Sequence, residues 1–342
     1  MKYLLLSFTI ISNFLYAQEL SALDVKGIDF TAEHSGEYPH LAGQIRIKNR
    51  HLLIRNHHDK KIFVSQFNGQ ITGTIGHEGN GPGEFPSRLN AFGFRGESLF
   101  ILSRKGPYRV FKFENGRFTK AFPVQYENFC SSSGDTNPLA VTPTHVVVPA
   151  HPASGHLASA YDSDGKPTHF GELFFDKRDA DALLRNRCLN EVLWVWGNGH
   201  LYGVLKYHPI ILQFDSKFQL IQTANLSNSR LMALVEEHDS LDASRYSILP
   251  GLFYDCQIIG GELFLLASKT LFEINLNSFE IARVFTFRGV GKAFEDRDST
   301  NRINFFTFAL AEDKRDLFLG PGHSFNAELF VALLPVNSIT AN

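Results

Sequence analysis

One recurring set of side chains in the sequence has binding chemistry: basic and imidazole groups that follow short apolar segments. The members of this set are Arg55, His57, Arg104, Lys105, His151, Lys206, His208, Lys269 and His323. Cationic groups gathered around a concave surface raise its electrostatic potential and favour an anionic ligand. We therefore predict that these residues bind such a ligand. The alternative is that they are solvated hairpin tips, where charged residues are common.

Motifs for nucleophilic or metal-assisted catalysis are absent from the sequence. It contains no GxSxG elbow, no HExxH helix and no cysteine spacing typical of a metal site. His57, His58 and Asp59 are adjacent, but neighbours on a strand point to opposite faces, so surface histidines are the preferred interpretation. We therefore assign no catalytic residue from the sequence and predict no cofactor. A divalent metal held by histidines from distant segments, with one open coordination position, is the alternative.

The most distinctive string is the glycine-rich segment at residues 76–86. Its glycines permit backbone conformations closed to other residues, and Phe85 can fill a gap between packed units. The GxGxxG order and the following helix of a phosphate-binding loop are both absent. We interpret the segment as a structural connector, with direct ligand contact as the alternative.

The elements that must position these side chains are copies of one repeating unit. A short polar turn followed by two or three apolar residues occurs six times. The first apolar residues of the copies are Leu52, Leu99, Val146, Leu201, Leu263 and Leu317. Their spacing of roughly 50 residues is typical of propeller blades.

Each copy except the last contains four strand-like segments, lettered a to d from the axis outward. The pairs Asn68-Gly69, Asn115-Gly116 and Asp164-Gly165 predict two-residue turns between c and d, because both central positions of such turns need positive φ. A four-stranded sheet cannot bury both faces alone, and radial packing covers them and protects the edges. The sequence therefore predicts an all-β fold, a six-bladed β-propeller of four-stranded antiparallel blades.

This strand order predicts where the binding residues lie. The b-to-c hairpins and the d-to-a connections open on the same end of a propeller, and the basic and imidazole set falls on the b-to-c hairpins. We expect these residues around the mouth of the central channel.

The two ends of the chain are predicted to meet in the last blade. The sixth unit ends near Pro335, after its third strand. A strand-like segment at residues 20–31 precedes the first complete unit. We predict that this segment supplies the missing outer strand of the last blade and closes the ring.

The N-terminus resembles a secretory signal. Lys2 precedes an apolar stretch at residues 4–15, and Ala17 provides a small residue for cleavage before Gln18. A first core strand or a membrane anchor is the alternative, although the stretch is shorter than the roughly 20 residues of a membrane-spanning helix. We predict a signal peptide at residues 1–17, a single propeller domain at residues 18–342, and a periplasmic or secreted location.

Composition agrees with a β-rich fold and limits the partners. Aromatic residues make up 13% of the chain, with 32 Phe, and such side chains suit pleated, half-buried surfaces. The formal net charge of −2 gives no support for nucleic acid or a membrane surface as partner. Cys130, Cys188 and Cys256 lack metal-site spacing, so we interpret them as core cysteines, with one disulfide as the alternative.

Two longer insertions have helix-compatible composition. They lie at residues 175–190 and 226–244. In the second, Leu231, Leu234 and Val235 have the i, i+3, i+4 spacing of one apolar stripe, which predicts a helix seated on the propeller.

Residues 76–86, with the apolar strings at 98–102 and 108–113, resemble NHL-type repeats. The chain as a whole is similar to exported bacterial six-bladed β-propeller proteins of the NHL-like and TolB-like kind, which have no assigned activity. This resemblance implies a six-bladed ring and an envelope or secreted location. Lactonases and a peptide-amidating lyase share the architecture. The lyase-like repeats carry an Asp after strand b, where this chain has Arg55-Asn56 and Ser103-Arg104.

We expect a non-catalytic binding module for an anionic glycan, a peptide or an envelope protein. No membrane span is expected after signal cleavage. The alternative is a metal-assisted lyase or hydrolase acting at the channel mouth. A third hypothesis is a structural envelope component held by the two insertions.

Overall fold

The computed structural model describes fourteen segments of the chain. These are residues 20–29, 31–32, 42–56, 61–79, 84–85, 89–104, 108–114, 117–125, 139–151, 154–174, 190–240, 251–289, 305–321 and 328–335. Within them the chain forms strands β1–β27 and one helix, α1.

Six consecutive sets of strands form the blades, and this confirms the predicted six-bladed β-propeller. Blade 1 contains β3 (Ala42–Lys48), β4 (His51–Asn56), β5 (Ile62–Ser65) and β6 (Gln70–Ile75). Blade 2 contains β9 (Leu89–Arg95), β10 (Ser98–Arg104), β11 (Tyr108–Glu114) and β12 (Arg117–Val124). Blade 3 contains β13 (Ala140–Val141), β14 (Val146–Pro149), β15 (His156–Tyr161) and β16 (Pro167–Glu172).

The second half of the chain repeats this plan. Blade 4 contains β17 (Val192–Gly197), β18 (His200–Leu205), β19 (Ile210–Phe214) and β20 (Leu220–Asn225). Blade 5 contains β21 (Asp255–Ile259), β22 (Glu262–Ala267), β23 (Thr270–Asn275) and β24 (Ile281–Gly289). Blade 6 contributes β25 (Phe305–Leu310), β26 (Asp316–Pro321) and β27 (Glu328–Leu333). The first strands of neighbouring blades contact one another, so strand a is the inner strand of the ring.

The N-terminal strand closes the ring, as predicted. The second half of β1 (Leu20–Asp29) pairs antiparallel with β27, with Lys26 opposite Val331, and is the fourth strand of blade 6. The first half pairs in parallel with β24, the outer strand of blade 5. Next, β2 (Thr31–Ala32) pairs in parallel with β6 of blade 1. The same segment therefore joins three consecutive blades, a wider role than sequence predicts.

The core lies between the blades rather than within one sheet. Phe170 of blade 3 packs against Trp194 and Phe214 of blade 4, with ring centroids 5.5 and 5.2 Å apart. Leu23 of β1 is buried among the apolar side chains of blades 5 and 6. Alternating apolar residues from both faces of each blade supply these contacts, because successive side chains on a strand point to opposite faces.

The prediction of two-residue turns between strands c and d is wrong for Asn68-Gly69 and Asp164-Gly165. Only Gly69 and Gly165 have positive φ there, at 90° and 80°, while Asn68 and Asp164 do not. The turn takes one residue more, and the register shifts by a bulge beside it in blade 1, between Val64 and Ser65. The pair Asn115-Gly116 lies outside the described residues.

In blades 1 and 5, two-residue turns instead join strands a and b. Asn49 and Arg50 have φ of 50° and 61° in blade 1, and Gly260 and Gly261 have 58° and 87° in blade 5. In this geometry both central residues adopt the left-handed conformation, which matches the twist of the flanking strands.

The predicted helix in the second insertion is confirmed. Helix α1 (Ser229–Asp239) begins after Asn228, whose side chain accepts hydrogen bonds from the backbone N–H groups of Arg230 and Leu231. Leu231 is fully buried, and Leu234 and Val235 pack against the core between blades 4 and 5. Most of the first insertion, residues 175–189, lies outside the described residues, as does the predicted signal peptide.

One of the three cysteines lies in the part of the chain that the structure describes. Cys256 is a buried free thiol, and burial raises its pKa. Cys130 and Cys188 lie outside the described residues.

None of the helices that the structure describes is long and apolar enough to cross a membrane.

Candidate functional site

The antiparallel order of the strands gives each blade two distinct ends. The b-to-c hairpins and d-to-a connections lie at one end, which we call the b–c face. The a-to-b and c-to-d turns lie at the other, which we call the a–b face. Of the sequence-predicted binding residues, those that the structure describes lie at or near the b–c face: Arg55, Arg104, His151, Lys206, His208 and Lys269.

Arg55 lies near the end of β4, with its side chain buried rather than projecting from a hairpin tip. Its guanidinium donates to the carbonyl oxygen of Leu89 at 3.0 Å and to that of Gly43 at 2.9 Å. Since Gly43 and Leu89 lie at the starts of the inner strands of blades 1 and 2, Arg55 ties these two blades together.

Lys206 is also buried, and its charge is compensated. Its ammonium nitrogen lies 3.1 Å from Oε2 of Glu191, and the two side chains are 4% and 8% exposed. The Lys206 backbone N–H donates to the carbonyl of Glu191, and its own carbonyl accepts from Phe253. Lys206 thus connects the b-to-c hairpin of blade 4 with the loops that enter blades 4 and 5.

Tyr207 extends this buried polar group. Its ring lies 5.8 Å from that of His238 on α1, and the side chain is almost fully buried. Burial, followed by the nearby Glu191 and Tyr254, raises the pKa of Tyr207 far above its ordinary value. The phenol therefore stays neutral well into the alkaline range, next to the Lys206–Glu191 ion pair.

Other predicted residues lie closer to solvent on the same face. His151 is exposed, and His208 and Lys269 are half-buried, on the b-to-c hairpins of blades 3, 4 and 5. Arg104 ends β10 on the hairpin of blade 2. His57, Lys105 and His323 lie outside the described residues. Ligand binding by any member of the set stays a prediction.

The glycine-rich connector between blades 1 and 2 folds back on itself. Strand β7 (His77–Glu78) pairs in parallel with β8 (Glu84–Phe85). His77 Nε2 lies 3.0 Å from a carboxylate oxygen of Glu84. These contacts agree with its interpretation as a structural connector.

Sequence reasoning missed a polar network on the inner strands. Arg46 of blade 1 makes a two-pronged ion pair with Asp255 of blade 5, with both N–O distances at 2.8 Å. Asp255 also accepts from Thr307 Oγ1 of blade 6 at 2.7 Å. The available signal was the presence of Arg46 and Asp255 inside otherwise apolar a segments, where a charge needs a partner.

The part of the chain that the structure describes contains no preformed metal site. No group of three or more His, Cys, Asp or Glu side chains there could hold a metal ion. The triplet His57-His58-Asp59 lies outside that part.

Comparison with known proteins supports the fold. A family described as 6-bladed beta-propeller matches residues 38–140, which confirms the resemblance to such proteins. No curated protein matches the chain by sequence.

Solved structures with the same fold include proteins from Bacteroides species. A protein from Bacteroides fragilis described as exported is 11% identical, with a TM-score of 0.57 over 92% of this chain and 96% of its own. A duf4221 family member from Bacteroides vulgatus is 10% identical, with a TM-score of 0.58 over 92% and 97%. A streptogramin B lyase is 9% identical, with a TM-score of 0.51 over 91% and 98%. At these identities the likeness concerns the fold alone.

Proposed function

We propose that this six-bladed β-propeller is an exported, non-catalytic binding protein whose b–c face recognises an anionic glycan, peptide or protein partner. The observation that carries the proposal is the strand order, which directs the b-to-c hairpins of the blades to one end of the ring. Basic or imidazole residues occur at this level in every blade of a chain whose net charge is −2.

The burial of the individual side chains bears on which of these residues would contact the proposed ligand. Arg55 and Lys206 are buried, so they would act through the hairpins they hold rather than by direct contact. His151, His208 and Lys269, with Arg104 on the hairpin of blade 2, are the candidates for direct contact. Basic side chains gathered on one face favour association with an anionic surface, and their effect weakens with salt.

Export is supported by two observations of different kinds. The N-terminal sequence has a basic start, an apolar stretch and a small residue before Gln18. A protein of similar fold from Bacteroides fragilis is described as exported. Detection of the native chain outside the cytoplasm, cut before Gln18, is the expected result, and an uncut cytoplasmic chain would contradict it.

The binding proposal is tested with a polyanion of simple chemistry. We expect the chain from residue 18 onward to bind polygalacturonate more tightly than neutral dextran in titration calorimetry, with affinity that falls as salt rises. The double variant Arg104→Glu/Lys269→Glu should bind at least about tenfold more weakly, because each reversal replaces attraction with repulsion.

A control on the opposite face separates a local effect from a change in net charge. Arg315 is exposed and lies on the a-to-b turn of blade 6. Arg315→Glu should leave the affinity unchanged. Equal losses in the two variants, or none in the double variant, would reject the b–c face as the binding surface.

A further inference from the structure

A second site lies on the a–b face, between blades 2 and 3. A cavity of about 150 Å³ opens there. Phe100, Phe122, Val146 and Tyr161 form most of its wall. A cavity of about this volume with apolar walls is large enough to hold a molecule the size of benzene.

One cation is fixed at this cavity. Arg95 ends the inner strand of blade 2, and its guanidinium donates to the carbonyl oxygens of Thr142 at 2.7 Å and His145 at 3.0 Å. Its central carbon lies 4.7 Å from the ring centre of Phe100. These three contacts hold the guanidinium in place, and two carbonyl oxygens leave several of its five N–H donors for another partner.

Arg95 forms no ion pair with a carboxylate of the described residues. Among the residues that the structure describes, no carboxylate lies within ion-pair distance of its guanidinium. The side chain is partly buried, and burial lowers its pKa, although a guanidinium stays protonated. A partly desolvated cation that has no carboxylate partner among the described residues favours the approach of an external anion.

The equivalent position in blade 1 carries a cation that is paired with a carboxylate. Lys48 ends the inner strand there, as Arg95 does in blade 2, and both reach the a-to-b turn of the next blade. Lys48 meets the carboxylate of Glu97 at 2.9 Å. Arg95 meets only backbone carbonyls on the corresponding turn, so the two equivalent cations differ in the acid that would neutralise them.

The other charged residues at the cavity are already engaged. Lys112 pairs with Glu114 at 3.0 Å. Asp162 accepts from the backbone N–H groups of Asp164 and Lys166 at 2.8 and 2.9 Å, and these hydrogen bonds lower its pKa. Its carboxylate therefore stabilises the c-to-d turn of blade 3, and Arg95 lies beside the apolar walls without such a partner.

We propose that this cavity binds a small amphipathic anion, a carboxylate with an aromatic or short aliphatic body, whose charged group pairs with Arg95. The apolar body would contact Phe100, Phe122 and Val146. A planar guanidinium matches a carboxylate through two parallel hydrogen bonds, which a neutral amide cannot reproduce. This site is independent of the proposed function, because it lies on the opposite end of the ring.

The test uses fluorine NMR of two probes with the chain from residue 18 onward. 4-Fluorobenzoate should bind with a dissociation constant on the order of millimolar, and its neutral analogue 4-fluorobenzamide at least about tenfold more weakly. Sulfate at equal concentration should not displace the benzoate, because it lacks an apolar body. Equal binding of the two probes, full displacement by sulfate, or no binding of benzoate would overturn the proposal.

Variants assign the binding to this cavity. Arg95→Gln should abolish the preference for benzoate, whereas Lys48→Gln, the matched change in blade 1, should retain it. Thr144→Phe changes an exposed residue at the cavity and leaves Arg95 in place, so it should block both probes while the melting temperature holds. Benzoate binding that survives both Arg95→Gln and Thr144→Phe would place the ligand elsewhere and refute the site.

Discussion

The ion pair between Arg46 and Asp255 joins blades that are not neighbours. Arg46 lies on the inner strand of blade 1 and Asp255 on that of blade 5, and Thr307 of blade 6 bonds to the same carboxylate. Thr307 Oγ1 also accepts from the backbone N–H of Ile45 at 3.1 Å. Three blades thus share one buried acid near the axis, at the place where the ring is closed.

Loss of the Asp255 carboxylate should lower the stability of the fold. We expect Asp255→Ala to lower the free energy of unfolding by about 3–5 kcal/mol, because it leaves the Arg46 guanidinium without its partner in a mostly buried site. Urea denaturation followed by tryptophan fluorescence measures the change. The control Glu97→Ala removes the exposed partner of Lys48 and should leave the midpoint nearly unchanged. Equal effects of the two changes would contradict a clamping role for Asp255.

Tyr207 should make stability depend on alkaline pH. Burial raises its folded-state pKa above the ordinary value of 10.0, so the phenol stays neutral in the folded chain while the unfolded chain ionises. Its contribution is complete below pH 10 and declines as the pH rises from there towards the folded-state pKa. Thermal melting of the wild type and Tyr207→Phe between about pH 9 and 11 should show a shallower decline in the variant. Parallel declines would mean that Tyr207 does not titrate differently on folding.

At the level of residues, the sequence predicts where a side chain lies in the strand order better than it predicts whether that side chain is buried and what it contacts. The strand order locates Arg55 and Lys206 correctly near the b–c face, but it does not reveal that both are buried. Glu191 lies in the loop before blade 4, and its pairing with Lys206 depends on a turn that brings distant segments together. Arg95 was not predicted as a binding residue for the same reason, since its partners are backbone carbonyls of the next blade.

At the level of elements, two phenylalanines occupy turn positions that glycine occupies elsewhere. Phe218 and Phe279, with φ of 64° and 57°, lie in the c-to-d turns of blades 4 and 5, as Gly69 and Gly165 do in blades 1 and 3. Both side chains are buried, and Phe218 stacks on Phe170 of blade 3 at 4.8 Å. Packing between blades therefore outweighs the strain of a left-handed backbone, which is of order 1–3 kcal/mol.

Substitution by glycine separates these two contributions. We expect Phe218→Gly to destabilise the chain by about 2–4 kcal/mol, because lost packing exceeds the strain that is relieved. The matched change Arg50→Gly also relieves a positive φ, of 61°, but removes an exposed side chain, so it should be neutral or stabilising. Calorimetric melting measures both. A stabilised Phe218→Gly would show that strain dominates at this turn.

These turns explain where element prediction succeeded and where it failed. Strands b and c were predictable because apolar residues recur at blade spacing, and Leu52 and Leu263 do lie in strand b. The turn type was not, because Gly69 supplies one left-handed residue beside a bulge rather than half of a two-residue turn. Phe218 carries no turn signal in the sequence, since its conformation is imposed by tertiary packing.

At the level of the whole molecule, the N-terminal segment is shared by three blades. It pairs with β24, β27 and β6 in succession. The pairing with β27 was predictable by counting strands, because six units of four leave one strand missing. The parallel pairings were not, because they depend on how far the segment extends along the rim.

Removing this segment should open the ring. We expect a chain that begins at residue 33 to melt at lower temperature than one that begins at residue 18, and to associate through the exposed edges of β24 and β27. Light scattering coupled to gel filtration measures the association. A synthetic peptide of residues 18–32 should restore the monomer when added in trans. A truncated chain that stays monomeric and equally stable would contradict the closing role of β1.

Among the strands that the structure describes, the one that completes the sixth blade comes earliest in the chain, and its antiparallel partner β27 comes latest. Until β27 has been synthesised, the other blades cannot close into a ring, although β1 can already pair with β24. Protease resistance should therefore arise late and cooperatively during synthesis, and limited proteolysis of stalled nascent chains measures when it arises.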